Sequence, residues 1–311
     1  MSKANITEID AFVRDTVLPE VESQIIANNA LLARLEGMGK YVADSGEHIR
    51  TGARYAHLPG GFYKRGTKFS TTQKETVKEF IHDWKMAYVD VTIDGWTEAI
   101  TMGTNKIRNY VQDKMDNAQE TISAILNDSM RTGGEGDNID GVKTICDDAT
   151  NYSTYGTLAR GTDVWAKGQL DATGGTYSNT IFQAMYGDCS KNNQHPDLII
   201  TTQAVYNSVW GKMTPQQRYQ QSTAHADLRA IGFSGIEFND ALIVVEDDME
   251  TGLAFFMNSN FIELVVHSNR NMTWQDFMPH LDEDAKTGRF YWMGNLVCTA
   301  PRYEGQIQSL A

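Results

Sequence analysis

The chain has 311 residues, 41% of them hydrophobic, and carries 27 Lys and Arg against 40 Asp and Glu, a formal net charge of −13. That length suffices for two cores or one elaborated domain, and the acidic balance argues against a nucleic-acid binder that works by bulk electrostatics. Cys146, Cys189 and Cys298 are odd in number and lack C-x-x-C spacing, which argues against a disulfide framework or a zinc site and suits a reducing cytoplasm.

Residues 6–36 read as helical, because Ile6, Ile9, Val13, Val17, Val21, Ile25, Leu32 and Leu35 recur at three- and four-residue steps. Pro19 divides or kinks that run, and Gly37-Met38-Gly39 ends it. The N-terminal MSKANITEIDAFVRD lacks an apolar signal core, and no apolar run reaches about eighteen residues, so neither a targeting signal nor a membrane span is expected.

From Lys40 to Ile93 glycines interrupt short runs of Tyr, Phe, Thr and Val. Arg50, Arg54, Lys64, Arg65 and Lys68 fall in a stretch without a single acidic residue. In KEFIHDWKMAYVDVTIDG, Val89, Val91 and Ile93 alternate with Asp90, Thr92 and Asp94, a strand pattern. Too few apolar residues are present for a separate core, so a long irregular hairpin fits best.

Residues 95–131 give the strongest helical pattern. Ile100, Ile107, Val111, Met115, Ala118, Ile122 and Ile125 share one face, and Gly133-Gly134 follows. At 1.5 Å per residue this is a rod of about 50 Å, whose apolar stripe needs a sheet or a partner to cover it. Beyond it, Val164–Leu170, Asn179–Cys189, Gln203–Lys212 and a segment from Pro215 to Thr223 read as helices. Leu198–Thr201, Ile236–Phe238 and Leu242–Val245 read as strands, the last two joined by an Asn239-Asp240 turn. Phe255-Phe256, Phe261–Val266 and Phe290–Cys298 add further strands. The whole is an α+β chain with a central sheet.

Chemistry is sparse. No HExxH, no G-x-x-x-x-G-K-[ST] and no G-x-G-x-x-G occurs. In Gly232-Phe233-Ser234-Gly235-Ile236 the second glycine falls one position early for a nucleophile elbow. The runs Glu246-Asp247-Asp248-Met249-Glu250 and Asp282-Glu283-Asp284 offer carboxylate oxygens to a divalent cation, but adjacent turn carboxylates are more often solvated. His267 and His280 stand without partners at ligand spacing. Tyr206, Trp210, Tyr219, Trp274, Phe277, Phe290, Tyr291 and Trp292 are core candidates first and buried interface residues second. No catalytic, cofactor-binding or metal residue is assigned, and no cofactor is expected.

The stretch from Pro196 to Pro301 holds the most specific pattern. It runs PDLIITTQAVYNSVW, QQRYQQ, ADLRAIGFSGIEFNDALIVVEDDM and FFMNSNFIELVVHSNRNM, and closes on YWMGNLVCTAPRYEGQI. This order resembles the C-terminal half of tailed-bacteriophage major capsid proteins with the Hong Kong 97 type fold. The resemblance implies an N-terminal arm (1–40), an extended loop (41–93), a peripheral domain with a long spine helix (94–140 and 255–311) and an axial α/β domain (141–254). It also implies a structural, non-enzymatic shell protein that assembles with itself into hexamers and pentamers. Such a shell encloses double-stranded DNA without sequence-specific binding, works with scaffolding and portal proteins, touches no membrane, and is found in the virion after assembly in the host cytoplasm. Arm and loop would overlap neighbouring subunits, making Arg50, Arg54, Lys64, Arg65 and Lys68 candidates for inter-subunit contact with an acidic surface. An encapsulin-like nanocompartment shell is the alternative, with a soluble metal-dependent hydrolase behind it.

Overall fold

The computed structural model describes residues 29–69, 72–100, 104–134, 136–212, 236–246 and 249–310, without the side chains of 98–100 and 104–109. The N-terminal part of the expected 6–36 helix, the Pro215–Thr223 helix, Tyr219 and the Gly232–Gly235 turn lie outside the described residues, as do the side chains of Ile100 and Ile107.

In chain order the first elements are α1 (Ala30–Gly37), β1 (Tyr41–Asp44), β2 (Ile49–Arg54), β3 (Val77–His82), β4 (Lys85–Asp94), α2 (Gly95–Ile100) and α3 (Thr104–Thr132). Next come α4 (Val142–Ile145), β5 (Thr154–Tyr155), β6 (Leu158–Ala159), a 3-10 turn (Val164–Ala166), β7 (Gln169–Asp171), α5 (Asn179–Cys189), β8 (Leu198–Thr201) and α6 (Gln203–Lys212). The chain closes with β9 (Ile236–Phe238), β10 (Ala241–Val245), β11 (Ala254–Met257), β12 (Ile262–His267), β13 (Thr273–Pro279), β14 (Ala285–Cys298), a 3-10 turn (Pro301–Tyr303) and β15 (Gly305–Ile307).

Two sheets organise these elements. In the five-stranded sheet β14 is central: its two halves pair with β13 and β12 on one edge, and β4 runs along the other edge from Ala285↔Asp94 to Gly294↔Lys85. Parallel β1 extends the sheet beyond β12. The six-stranded sheet has the order β7-β15-β11-β8-β10-β9. Its β9–β10 corner is tight because Asn239 and Asp240 both take positive φ, 47° and 71°, as an Asn-Asp hairpin turn allows.

Strand periodicity divides the core. On β8, Leu198 and Ile200 join α1, α3 and the five-stranded sheet in one continuous cluster, while Ile199 faces α5 and α6. Helix α3 supplies Val111, Met115, Ala118, Ile122 and Leu126 to the first cluster. Those steps of four, three, four and four follow the helical repeat, and they leave Ile125 43% exposed where an inward position was expected. Leu126 takes its place. At 29 residues α3 is about 44 Å long.

Other expectations need correction. The segment 41–93 is not all loop: β1 and β4 belong to the five-stranded sheet, because β4 buries Val91 toward the core while Asp90 and Thr92 face out. Nor do residues 255–311 form one layer, since β11 and β15 lie in the six-stranded sheet. The helix expected at Val164–Leu170 is a 3-10 turn followed by strand β7, paired in parallel with β15. Gly168 separates the two; a Cβ there would sit 2.4 Å from the Cys146 carbonyl carbon, so the chain runs against α4 instead of coiling.

The chain crosses between the sheets twice late in the sequence, from β11 to β12 and from β14 to β15. Phe261 and Tyr303 stack at 4.7 Å to join these crossings. Asp197 accepts from Ser259 N and Oγ on the first crossing and from the Arg34 guanidinium on α1. Glu304, fully buried, accepts a 2.8 Å hydrogen bond from Asn258 N. Burial is the main cause that pushes its carboxyl well above the usual carboxylate range, against the pull of that N–H. Glu304 therefore keeps its proton in the fold at pH values where the unfolded chain has lost it. Its contribution is whole below the unfolded pKa of about 4.3 and is lost as pH rises toward the folded value. Glu304→Gln keeps the shape and removes the titration. In urea unfolding the variant's stability relative to the unsubstituted chain should rise as pH climbs above about 5, by at most about 1.4 kcal/mol per pH unit. Parallel stability curves would mean that Glu304 is already ionised.

Candidate assembly surface

Strands β2 and β3 form an antiparallel hairpin in register from Ile49↔His82 to Arg54↔Val77. Its foot is anchored and its tip is not. At the foot, alternate side chains face inward: Ile49, Ala53, Phe80 and His82 are buried. The Phe80 ring meets Tyr155 at 5.4 Å and Trp165 at 5.2 Å. Lys78 Nζ donates to Asp163 Oδ1 at 2.6 Å, and this bond holds the Asp163 carboxyl below its usual range. His82 Nδ1 lies 2.8 Å from Asp140 Oδ2, a carboxylate that Asn295 Nδ2 also holds at 3.1 Å. His82 Nε2 is enclosed by the Tyr155 ring and by Gly156, where a Cβ would come within 3.0 Å of it. The imidazole is buried and pegs the foot of the hairpin, at the wall of a cleft of about 340 Å³ that Lys85, Asp140, Asn151 and Tyr152 also line.

The tip is the opposite. Leu58, Phe62, Tyr63 and Phe69 each expose 69% or more of their surface, and Tyr63 and Phe69 touch edge to face at 5.1 Å. Thr67 closes a turn between them, its N–H donating to the Lys64 carbonyl at 3.0 Å and its Oγ1 accepting from Lys64 N. An apolar cluster this open is a binding surface or an aggregation liability.

Of the basic candidates, Lys64, Arg65 and Lys68 lie exposed at this tip, and Arg54 is exposed at the end of β2. Arg50 is elsewhere. It sits near the foot and faces Glu79 across the ladder at 3.9 Å, a partner on the return strand that the acid-free run from Arg50 to Lys68 does not reveal. The hairpin gathers all five on one element but brings only three to the tip.

The acidic runs resolve differently. Glu246 pairs with Arg131 at 3.6 Å and Glu250 with Lys143 at 2.7 Å, whereas Asp247 and Asp248 lie outside the described residues. Asp282, Glu283 and Asp284 are exposed in the β13–β14 turn. Among the described residues no group of three or more His, Cys, Asp or Glu is placed to hold a metal ion. His280 Nε2 bonds Thr287 Oγ1 at 2.7 Å, and His267 packs edge-on against Trp84. Cys146, Cys189 and Cys298 are free and buried, and burial raises each thiol well above its ordinary pKa, which suppresses the reactive thiolate. Trp274, Phe277, Phe290 and Trp292 are core residues, and Trp210 is 54% exposed.

Sequence reasoning also missed Arg160, a fully buried cation. It donates to the carbonyls of Thr144 at 2.7 Å, Ile145 at 3.2 Å, Ala166 at 3.2 Å and Tyr152 at 3.3 Å, and faces the buried Asp147 at 3.7 Å. This knot fixes the β5–β6 hairpin against which Phe80 packs. Nothing in its local sequence marks it, because its acceptors are main-chain atoms.

No family model and no curated protein matches the chain. Solved structures do. The chain is similar to the capsid asymmetric unit of cyanophage A-1(L), with TM-score 0.68 and 16% identity over 90% of this chain and 93% of that one. It is similar to the capsid of a native GTA particle, with TM-score 0.62 and 9% identity over 90% of both chains. The holo-SrpI encapsulin complex from Synechococcus elongatus gives TM-score 0.51 and 9% identity over 89% of this chain and 86% of that one. With two sheets sharing a core, a long helix across one of them and a projecting hairpin, the chain has the capsid-shell fold, the Hong Kong 97 type that its C-terminal half resembles in sequence.

Proposed function

We propose that this chain is the major capsid protein of a tailed phage, a structural protein that assembles with itself into an icosahedral head around double-stranded DNA. The observation that carries the proposal is the hairpin tip: four large apolar side chains stand exposed beside Lys64, Arg65 and Lys68, on a fold shared with capsid shells. Such a surface is expensive to leave in water and is sensible only when another chain covers it. The N-terminal arm assigned to 1–40 stops short of α1, whose Ala30, Leu31, Leu32 and Leu35 are buried in the chain's own core, and the β2–β3 hairpin is the working part of the extended loop assigned to 41–93. The five-stranded sheet with α3 corresponds to the peripheral domain, and the six-stranded sheet to the axial domain. The chain has no catalytic task; scaffolding and portal proteins are its partners during assembly in the host cytoplasm, and the virion is its destination.

A nanocompartment shell is the second reading, favoured by the encapsulin likeness. A terminase and a portal gene beside this one support the phage head, and a cargo-enzyme gene supports the compartment. Electron microscopy of the overexpressed chain tests both against a non-assembling protein: shells, tubes or rings support assembly, and a compact monomer across salt and concentration rules it out.

Two outcomes are expected. The variant Lys64→Glu/Arg65→Glu should assemble poorly, while the unassembled chain keeps its stability within about 0.5 kcal/mol, since both side chains are exposed. Raising salt should weaken assembly of the unsubstituted chain as the Debye length falls below about 8 Å. Normal shells from the double variant would remove the tip from the interface. Mature particles boiled in denaturant should run as one band near 34.8 kDa. An isopeptide link needs a lysine amine, an asparagine amide and a carboxylate base buried together. Lys64 and Lys68 are exposed on the tip, and Lys78 is paired with Asp163. A ladder of covalent oligomers would show that assembly builds such a trio.

A further inference from the structure

The β2–β3 ladder ends at Arg54↔Val77, with one further main-chain bond from Tyr55 N to the Thr76 carbonyl. Past that point residues 57–69 are exposed throughout. Lys64 and Arg65 lie in a turn held by two hydrogen bonds at the surface, Thr67 N to the Lys64 carbonyl at 3.0 Å and Lys64 N to Thr67 Oγ1 at 3.2 Å. Gly66 completes the turn at φ 88°. A Cβ built on Gly60, Gly61 or Gly66 would meet nothing within 4 Å, so the main chain there lies open to another molecule. Charge sets the segment apart as well: residues 48–74 hold six Lys and Arg and no carboxylate, in a chain of net charge −13.

We propose that the Arg65–Gly66 bond is a processing site, where an endoprotease with an acidic specificity pocket cuts the free chain, leaves its body folded and ends its capacity to assemble. Water adds across the peptide bond, leaving a carboxylate on Arg65 and an ammonium group on Gly66, and no other reactant takes part. Such enzymes hold Lys or Arg against a buried carboxylate and take the flanking main chain in extended form. This turn extends by giving up two exposed hydrogen bonds and no buried side chain, the kind of local opening that exposed loop tips allow. Lys191 is the contrast. It is exposed too, but two main-chain bonds tie it to Gln194 across Asn192 and Asn193, both at positive φ. The cut does not divide the body, because residues 30–54 are built into it. Helix α1 is buried, β1 pairs with β12, β2 pairs with β3, and Arg34 and Lys40 bridge to Asp197 and Glu263. The loss of assembly rests on the shell-protein reading: a cut tip presents two loose charged ends where a closed turn stood. A copy already in a shell has this bond covered, so only unassembled copies are retired.

Trypsin is the probe, on the full chain and in limiting amount. A fragment beginning at Gly66 should appear by mass spectrometry, while the two pieces elute together at the size of the uncut chain and keep its circular dichroism. The initial rate at this bond should stay within about twofold between 0 and about 1 M urea, because a local opening exposes little new surface. A rate that climbs steeply with urea, or no Gly66 fragment while the chain is cut elsewhere, would overturn the site. The purified cut chain should form no particles under conditions where the uncut chain does, and normal assembly of the cut chain would overturn the role in assembly. Assembled particles should be cut at this bond at least about tenfold more slowly than the free chain. Equal rates would leave the tip bare in the particle and reject that role too. Failure of the shell reading is told apart from these: an uncut chain that never assembles rejects that reading and the role in assembly, while the cleavage site still stands or falls on its fragment and its urea profile.

Discussion

Strand β14 is the constraint on which the rest of the structure depends. An inserted strand must satisfy its main-chain groups on both sides, because a buried unpaired N–H or carbonyl costs about as much as a lost hydrogen bond. β14 does so by using 14 residues to hold β13 and β12 on one edge and β4 on the other. The consequence reaches far along the sequence. β4 follows β3 after two residues, so the ladder from Ala285↔Asp94 to Gly294↔Lys85 also sets where the hairpin leaves the body. Helix α3 then lies over the same sheet, with Met115, Ile122 and Leu126 buried against it. A one-residue register slip in β14 would turn its inward side chains outward and move the hairpin's foot with them.

The polar groups in the interior serve geometry more than stability. Arg160 with Asp147, and Asp197 with Arg34 and Ser259, are ionic or strongly polar groups taken out of water, and such groups seldom repay their desolvation by more than an apolar packing would. What they supply is direction. Arg160 points four main-chain carbonyls toward one centre, and Asp197 locks α1, β8 and the crossing between the sheets together. The hairpin foot is held by the same means, through Lys78–Asp163 and His82–Asp140. A long hairpin with a firm root and a bare tip behaves as a lever, and its aim is decided at the foot.

Local pattern made much of the fold legible. Asn179–Cys189, Gln203–Lys212 and Leu198–Thr201 were read with their observed bounds, because each has a clean period and a clear boundary residue. The Asn239-Asp240 turn was visible for the same reason. Long-range pairing was not. The assignment of β1 and β4 to one sheet depends on partners about two hundred residues away, and that of β11 and β15 to the other on partners about fifty or more residues away. Ile125 was misplaced because three- and four-residue steps fit a helix equally well until a neighbour selects one. Val164–Leu170 looked helical, but a glycine at 168 and a parallel edge partner outweigh weak helical preference. At the tip, residue type announced the basic side chains but not their exposure, and Glu79 opposite Arg50 appeared only once β2 and β3 were aligned.

On the proposed shell reading, charge explains how an exposed apolar tip is tolerated before assembly. Copies of a chain carrying −13 repel one another through most orientations, which keeps the free chain dispersed. The repulsion is relieved where a basic patch meets an acidic one, and the tip is the segment where Lys64, Arg65 and Lys68 stand without a carboxylate. Electrostatics of this kind choose orientation more than they supply affinity; on the proposed reading the affinity would come from covering Leu58, Phe62, Tyr63 and Phe69. Each such contact is small beside a standard interface of about 1,600 Å², so one contact holds weakly and can be undone. In the proposed shell a subunit held by several neighbours would not be released by losing any one of them, and that difference would let misplaced copies leave while a closed shell persists.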